Sequence, residues 1–267
     1  MITNNPALGK TFDEAAQLYD ETRPGYPVEL FDQVWRYAGL RAGSRAVESG
    51  PGTGQATLEL AKRGLAIDAV EPGLKLAAVA RDKLQNYPNI RFYIGKFEEV
   101  NLSAGVYDLV YAATSFHWVE PSVRYVKARQ LLRLGGSLAV FWNQHIAHAD
   151  STKDTFFYDA QQFYEQYDPL TKPGSFHLSP PSHVQSLTTE MMDSGFFDQA
   201  ETHQYLWDAT YKTDEYIKLL RTYSPTIAMP SSKREALLQS IRGLIDSKYG
   251  GQVHKQYVAT LDLARAK

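Results

Sequence analysis

The chain has 267 residues, a length that suits one α/β domain carrying an insertion and allows a large buried core. Its 28 basic and 30 acidic side chains nearly cancel, so the charge gives no footprint for nucleic acid or an anionic membrane surface. Cysteine is absent, which excludes a disulfide framework, a thiolate metal site and a cysteine nucleophile. No stretch of about 18 apolar residues and no signal-peptide core is present, so a cytoplasmic protein without a membrane span is expected.

The first helical pattern covers residues 12–20, with Phe12, Ala15, Ala16 and Tyr19 on one face. A Pro/Gly turn at 21–27 leads to a second helix, Val28 to Leu40. From there strands and helices alternate. Strand 45–49 precedes helix 55–63, strand 66–70 precedes helix 74–85, and strand 90–94 ends at Gly95. Strand 107–112 is followed by a helix at about 121–133, ended by Gly135-Gly136, and then by strand 137–142. Such alternation implies parallel pairing with right-handed crossovers, and a ligand cleft beyond the carboxyl ends of the strands.

After Asn143 the rhythm breaks. The sequence predicts an aromatic-rich helix at 152–167, an irregular Pro-rich stretch at 169–182 and a helix from His183 to Ser194. A sixth strand at 199–208, a helix starting at Thr213, a helix from Ser231 to about Lys248 and a last strand at about 255–263 complete the chain. Aromatic residues crowd 156–167 and 205–223, outside most of the predicted sheet, which suggests an aromatic cap over a pocket.

Residues 45–57, RAVESGPGTGQAT, carry the strongest chemical signal. A short strand ends in Glu48, glycines follow at 50, 52 and 54, and a helix begins at Gln55. Glycine permits positive φ and lets a ligand lie against the backbone, while the helix start offers free N–H groups. A dinucleotide fingerprint would need Gly or Ala at position 55 or 57, where Gln55 and Thr57 stand. Glu48 would also repel a pyrophosphate. S-adenosylmethionine has no phosphate and carries an ammonium and a sulfonium, which a carboxylate favours. Glu71 closes the second strand roughly 20 residues past the loop, where a ribose-binding acid belongs.

These features resemble the class I S-adenosylmethionine-dependent methyltransferases, most closely the small-molecule, type 11 branch that includes trans-aconitate methyltransferase-like proteins. The likeness covers residues 10–145: Y-x-x-x-R-P-x-Y-P at Tyr19, Arg23, Pro24, Tyr26 and Pro27, E-x-G-x-G-x-G from Glu48, then Glu71, the turn Gly95–Glu98 and the pair His117-Trp118. Residues 145–267 match in layout only. The resemblance implies one domain over 1–267: a Rossmann-like, doubly wound, mostly parallel seven-stranded sheet whose last strand is antiparallel. It also implies a helical cofactor cover at 10–40, and a lid insertion at 144–198 after the fifth strand.

The cofactor-binding set expected on this basis is Tyr19, Arg23, Glu48, Gly50, Gly52, Gly54, Gln55, Glu71, Pro72, Lys96, Phe97, Glu98 and Ala113. Within it, Arg23 would pair with the cofactor carboxylate, Phe97 would stack on adenine or pack in the core, and the backbone near 96–98 and Ala113 would contact the cofactor. His117 and Trp118 are the catalytic candidates, the imidazole as base or positioning group and the indole as a face near the sulfonium. His145 and His148 are a metal pair by residue type, but nearby carboxylates and helical register are lacking, so no metal is expected.

Expected partners are a small-molecule methyl acceptor and no nucleic acid or membrane, with the chain a monomer or homodimer. Ala113-Thr114-Ser115-Phe116 stands where nucleic-acid amino-methyltransferases carry N-P-P-Y. The resemblance makes a carboxylate oxygen the first acceptor to consider, although sequence does not choose among oxygen, nitrogen and carbon. Two alternatives stay open: a cofactor-binding protein that has lost catalysis, and an NAD-linked oxidoreductase.

Overall fold

A computed structural model describes residues 16–267. The start of the first predicted helix, with Phe12 and Ala15, lies outside the described residues. Seven strands form one sheet in the order β3-β2-β1-β4-β5-β7-β6. They are β1 (Arg45–Ser49), β2 (Ala66–Glu71), β3 (Ile90–Ile94), β4 (Tyr107–Ala113), β5 (Leu132–Ile146), β6 (Phe197–Lys212) and β7 (Gln252–Ala266). The first five run parallel, and β7 runs antiparallel between β5 and β6. This is the sheet implied by the resemblance.

The helices are α1 (Ala16–Thr22), α2 (Val28–Ala38), α3 (Gln55–Lys62), α4 (Leu74–Lys83), α5 (Arg124–Leu131), α6 (Thr155–Tyr167), α7 (Thr188–Asp193), α8 (Thr213–Leu220), α9 (Ser224–Ala228) and α10 (Ser231–Lys248). Helix α2 buries Leu30, Phe31, Val34 and Ala38 against Leu109, Tyr111, Phe141 and Leu261 of the sheet. Their spacing sets one apolar stripe along the helix, and burying each large side chain of that kind contributes about 1.5–3 kcal/mol. Gly39 ends α2 in the left-handed conformation. The opposite face of the sheet carries Phe116, Tyr125, Leu131 and Met191, from α5, α7 and the loop after β4.

A third cluster joins α6, α8 and α10 through Phe156, Phe157, Tyr216, Leu220, Leu237 and Ile241. The aromatic segments singled out in the sequence therefore meet in one helical layer. That layer draws on residues 213–251 as much as on the insertion after β5.

Two expectations are corrected. Gly135-Gly136 does not end a helix: α5 stops at Leu131 and the chain enters β5 at once. Leu132 pairs with Tyr107 and Ser137 with Leu109, so residues 133–136 bulge opposite Asp108. Gly136 fits there because a Cβ would lie 3.0 Å from the carbonyls of Arg133 and Tyr107. The helix expected from His183 to Ser194 is only α7, because residues 186 and 187 are held elsewhere. Ser186 Oγ and the Leu187 N–H donate to the buried Asp262 carboxylate at 2.9 and 2.6 Å. Helix α9, which the sequence pattern did not reveal, begins at Ser224-Pro225, where proline is tolerated in a first helical turn.

Candidate functional site

The glycine loop lies at the carboxyl end of β1. Gly50, Gly52 and Gly54 have φ of +67°, +60° and +84°. A Cβ on Gly50 would lie 2.6 Å from the Ser115 Cβ, so the first glycine is fixed by the close approach of the loop after β4. At Gly52 a Cβ would meet only the Tyr19 ring edge, at 3.8 Å. That position is open toward the N-terminal segment. Ser115 Oγ also donates to the Ser49 carbonyl.

Two acids hold the loop. Glu71, buried at the end of β2, accepts the Gly52 N–H at 2.9 Å through one oxygen and the Gly73 N–H at 2.8 Å through the other. It thereby fixes the glycine loop against the turn into α4. Glu48 lies beneath the loop at 0% exposure. Its Oε2 accepts from Thr57 Oγ1 at 2.5 Å and from Tyr111 OH at 2.7 Å, and its Oε1 is buried without a partner among the described residues. Burial pushes its carboxyl up to about 7, against the hydrogen bonds from Thr57 and Tyr111, and the charge of Glu71 adds to the rise. Glu48 thus braces the loop from beneath through Oε2 and leaves Oε1 without a partner among the described residues.

The N-terminal segment covers the loop. The Arg23 guanidinium stands 4.8 Å from the ring centroids of both Tyr19 and Tyr223 and donates to the Thr222 carbonyl at 2.7 Å. Asn143 Nδ2 on β5 donates to the Gly25 carbonyl at 2.8 Å, tying the following turn to the sheet. Tyr26 OH lies 2.6 Å from Thr114 Oγ1, and burial holds the phenol far above its usual range. Thr114 itself has φ +56°, a conformation that favours glycine, and its N–H donates to the Phe141 carbonyl at 2.8 Å.

The remaining expected residues divide. Gln55 opens α3, with Oε1 accepting from Thr53 Oγ1 at 2.9 Å and Nε2 buried without a partner among the described residues. Ala113 is half-buried at the end of β4, Pro72 is exposed and Glu98 is half-buried. The Lys96 side chain points to Glu99 at 3.3 Å, and its carbonyl accepts the N–H of Glu99 and Val100 within the turn. Phe97 is 4% exposed and packed in the core cluster with Val70 and Val110, so its ring offers no free face to adenine. Leu74, exposed at 64% just after Glu71, is the apolar surface available there, and the sequence reading passed over it.

His117 and Trp118 occupy a short 3-10 turn with ring centroids 5.1 Å apart. Burial, aided by the Arg124 charge, lowers the His117 pKa and keeps the ring neutral. The pair sits on the α5 side of the sheet, next to Phe116. An aromatic cavity of about 250 Å³ lies instead in the helical layer, lined by His145, Phe157, Tyr216, Tyr223 and Lys255 among others, and neither His117 nor Trp118 lines it. His148 is occupied within its own loop, its Nδ1 accepting the Asp150 N–H at 2.9 Å.

The loop suits S-adenosylmethionine on three structural grounds. The glycine backbone is open at Gly52. Two donors, Arg23 Nε and Gln55 Nε2, and one acceptor, Glu48 Oε1, are buried without partners among the described residues on segments bordering the loop. Donors and an acceptor of this kind match the carboxylate and ammonium of an amino acid.

Residues 47–140 match the family described as the methyltransferase domain. An uncharacterised methyltransferase of Mycobacterium tuberculosis is 33% identical over 143 residues, covering 54% of this chain and 56% of that protein. The trans-aconitate 2-methyltransferase of Deinococcus radiodurans is 28% identical over 151 residues, 56% of this chain and 57% of its own. The matched stretch therefore spans little more than half the length of these relatives. Among solved structures, a chain from Anaeromyxobacter dehalogenans described as a type II methyltransferase superposes with a TM-score of 0.65 at 20% identity, over 92% of this chain and 97% of that one. The family match thus covers the strand–loop–helix core that holds the glycine loop, and the likeness to the solved chain shows the fold alone.

Proposed function

We propose that this chain is an S-adenosylmethionine-dependent methyltransferase acting on a small molecule. The observation that carries the reading is the glycine loop, open at Gly52, held by Glu71 and bordered by the unpartnered donors Arg23 Nε and Gln55 Nε2. When bound, S-adenosylmethionine would supply a sulfonium-activated methyl group for in-line transfer to an acceptor lone pair, with the thioether as leaving group. The chain's part is positioning, which for a well-aligned pair supplies roughly 7–11 kcal/mol of the barrier. Gly50, Gly52 and Gly54 give the backbone approach, and the Glu71 carboxylate at the end of β2 accepts the ribose hydroxyls. Arg23 and Gln55 orient the carboxylate, while Tyr19 and Tyr26 exclude water from above. The helical layer roofs the acceptor side.

His117 and Trp118 follow β4 in a short turn and do not line the aromatic cavity, so a positioning role fits them better than that of a base. The likeness to the Deinococcus relative makes a carboxylate oxygen the first acceptor to test. The test is a screen of small acids, phenols and amines with the purified chain, read by release of S-adenosylhomocysteine. Stoichiometric release with a methylated product supports the reading, and no turnover across a broad panel by a chain that binds the cofactor would leave a binding protein.

A further inference from the structure

The aromatic cavity holds a cation with an incomplete set of partners. Lys255 is 5% exposed, near the start of β7. Its ammonium donates to no carboxylate within ion-pairing distance among the described residues. Its hydrogen bond is to Tyr223 OH, at 3.2 Å, and the rings of Tyr257, Tyr223, Phe157 and Tyr216 stand 5.1 to 6.0 Å away. Ring faces repay part of the cost of burying an ammonium, but an ion taken from water usually finds an opposite charge.

The space beside it is available. The cavity of about 250 Å³ is bounded by Lys255, His145 and the flat walls of Phe157, Tyr216 and Tyr223. His145 Nε2 is buried without a partner among the described residues, and burial next to the Lys255 charge drives its pKa down to about 2, so the imidazole is a neutral polar group. A relay of side chains links the cavity wall to the cofactor loop. Tyr223 touches Lys255 on one side and the Arg23 guanidinium on the other, and Arg23 leads through Tyr19 to Gly52.

We propose that this cavity is the acceptor subsite, and that it takes a small, flat, apolar molecule carrying one carboxylate, with Lys255 as its counter-ion. The volume suits a ring of modest size, and the aromatic walls suit a planar body. A single buried cation matches a single negative charge. The His145 Nε2 then takes a second polar contact from the ligand. This assignment rests on the methyltransferase reading for its meaning as an acceptor site, but the binding chemistry stands by itself.

The test uses benzoate and its neutral amide, benzamide, as probes in calorimetric titrations of the full chain. Wild type is expected to bind benzoate about tenfold or more tightly than benzamide, as a charge-assisted contact would give. Lys255→Met should lose that preference and Lys255→Arg should keep it, while both hold S-adenosylhomocysteine as wild type does. Equal binding of the two probes by wild type, or a preference that survives in Lys255→Met, overturns the proposal. Should Lys255→Met fail to fold, nuclear Overhauser contacts from benzoate to the Phe157 and Tyr216 rings decide the location, and their absence overturns it. A wild type that prefers benzoate yet binds no S-adenosylhomocysteine would sink the methyltransferase reading and leave the anion site standing.

Discussion

Glu48 shows how a buried acid can brace a loop from beneath. With its carboxyl raised from the ordinary 4.5 to about 7 by burial, the folded chain keeps that proton over a window in which the unfolded chain has lost it. Its stabilising contribution is full below about pH 4.5 and is lost as pH rises through 7. Glu48→Gln removes this titration. The variant should gain stability relative to wild type between pH 4.5 and 7, by on the order of 2–3 kcal/mol, and then level off. Urea denaturation of both proteins across that range checks it; a constant difference would mean that Glu48 is ionised in the folded chain. The glycines differ as well. Gly50→Ala forces a methyl against Ser115 and should damage the fold itself, whereas Gly52→Val meets only the Tyr19 ring edge, costs stability through its positive φ, and should block the cofactor. Thermal melts and cofactor titrations separate the two effects.

His117 tests the proposed acceptor geometry at a single residue, since it does not line the aromatic cavity. Its place after the fourth strand suggested a base, yet it packs beside Trp118 and Arg124, on the α5 side of the sheet. His117→Ala is therefore expected to keep kcat within about tenfold of wild type, where loss of a general base would cost 10²–10⁴. Steady-state kinetics with the acceptor found by screening decides between them.

At the level of elements, β1 to β4 and helices α3 and α4 were legible because each is a local pattern: short apolar runs, glycine punctuation and helical spacing. Glu71 and the glycine loop were legible for the same reason, since their chemistry is compressed into 24 residues of one βαβ unit. The bulge at 133–136 and the shortened α7 were not, because Asp108 and Asp262 impose them from distant strands. Tyr223 and Lys255 escaped too, standing some 170 or more residues from the loop in sequence. One clue to Lys255 was present: it shares the inward phase of β7 with Val253, Tyr257, Ala259 and Leu261, where a charge is out of place.

Helix α1 is joined to the rest through Lys83–Asp20 and Lys218–Glu21 ion pairs at its rim, and through Arg23 between two rings. The exposed Lys218–Glu21 pair contributes little, so the segment is held by the part-buried Lys83–Asp20 pair and the Arg23 stack. Adding S-adenosylhomocysteine should raise hydrogen-exchange protection over residues 16–27. Protection that stays equal with and without it would mean that the segment does not close on the ligand.

For the whole molecule, the parallel strands bring the loops after β1, β2 and β4 to one edge, and the antiparallel β7 brings Lys255 to the aromatic layer beside it. On the proposed reading, the cofactor side is built from the first half of the chain and the acceptor side from the second. Among the described residues no helix is long and apolar enough to cross a membrane. The central claim is that the glycine loop binds S-adenosylmethionine, and calorimetry tests it directly. Wild type should bind S-adenosylmethionine at one site per chain and show no heat with NAD. Folded Gly52→Val should lose the binding, and Glu71→Ala should weaken it by about 1–3 kcal/mol. Binding of NAD in place of S-adenosylmethionine, or undiminished S-adenosylmethionine affinity in Gly52→Val, would contradict the account.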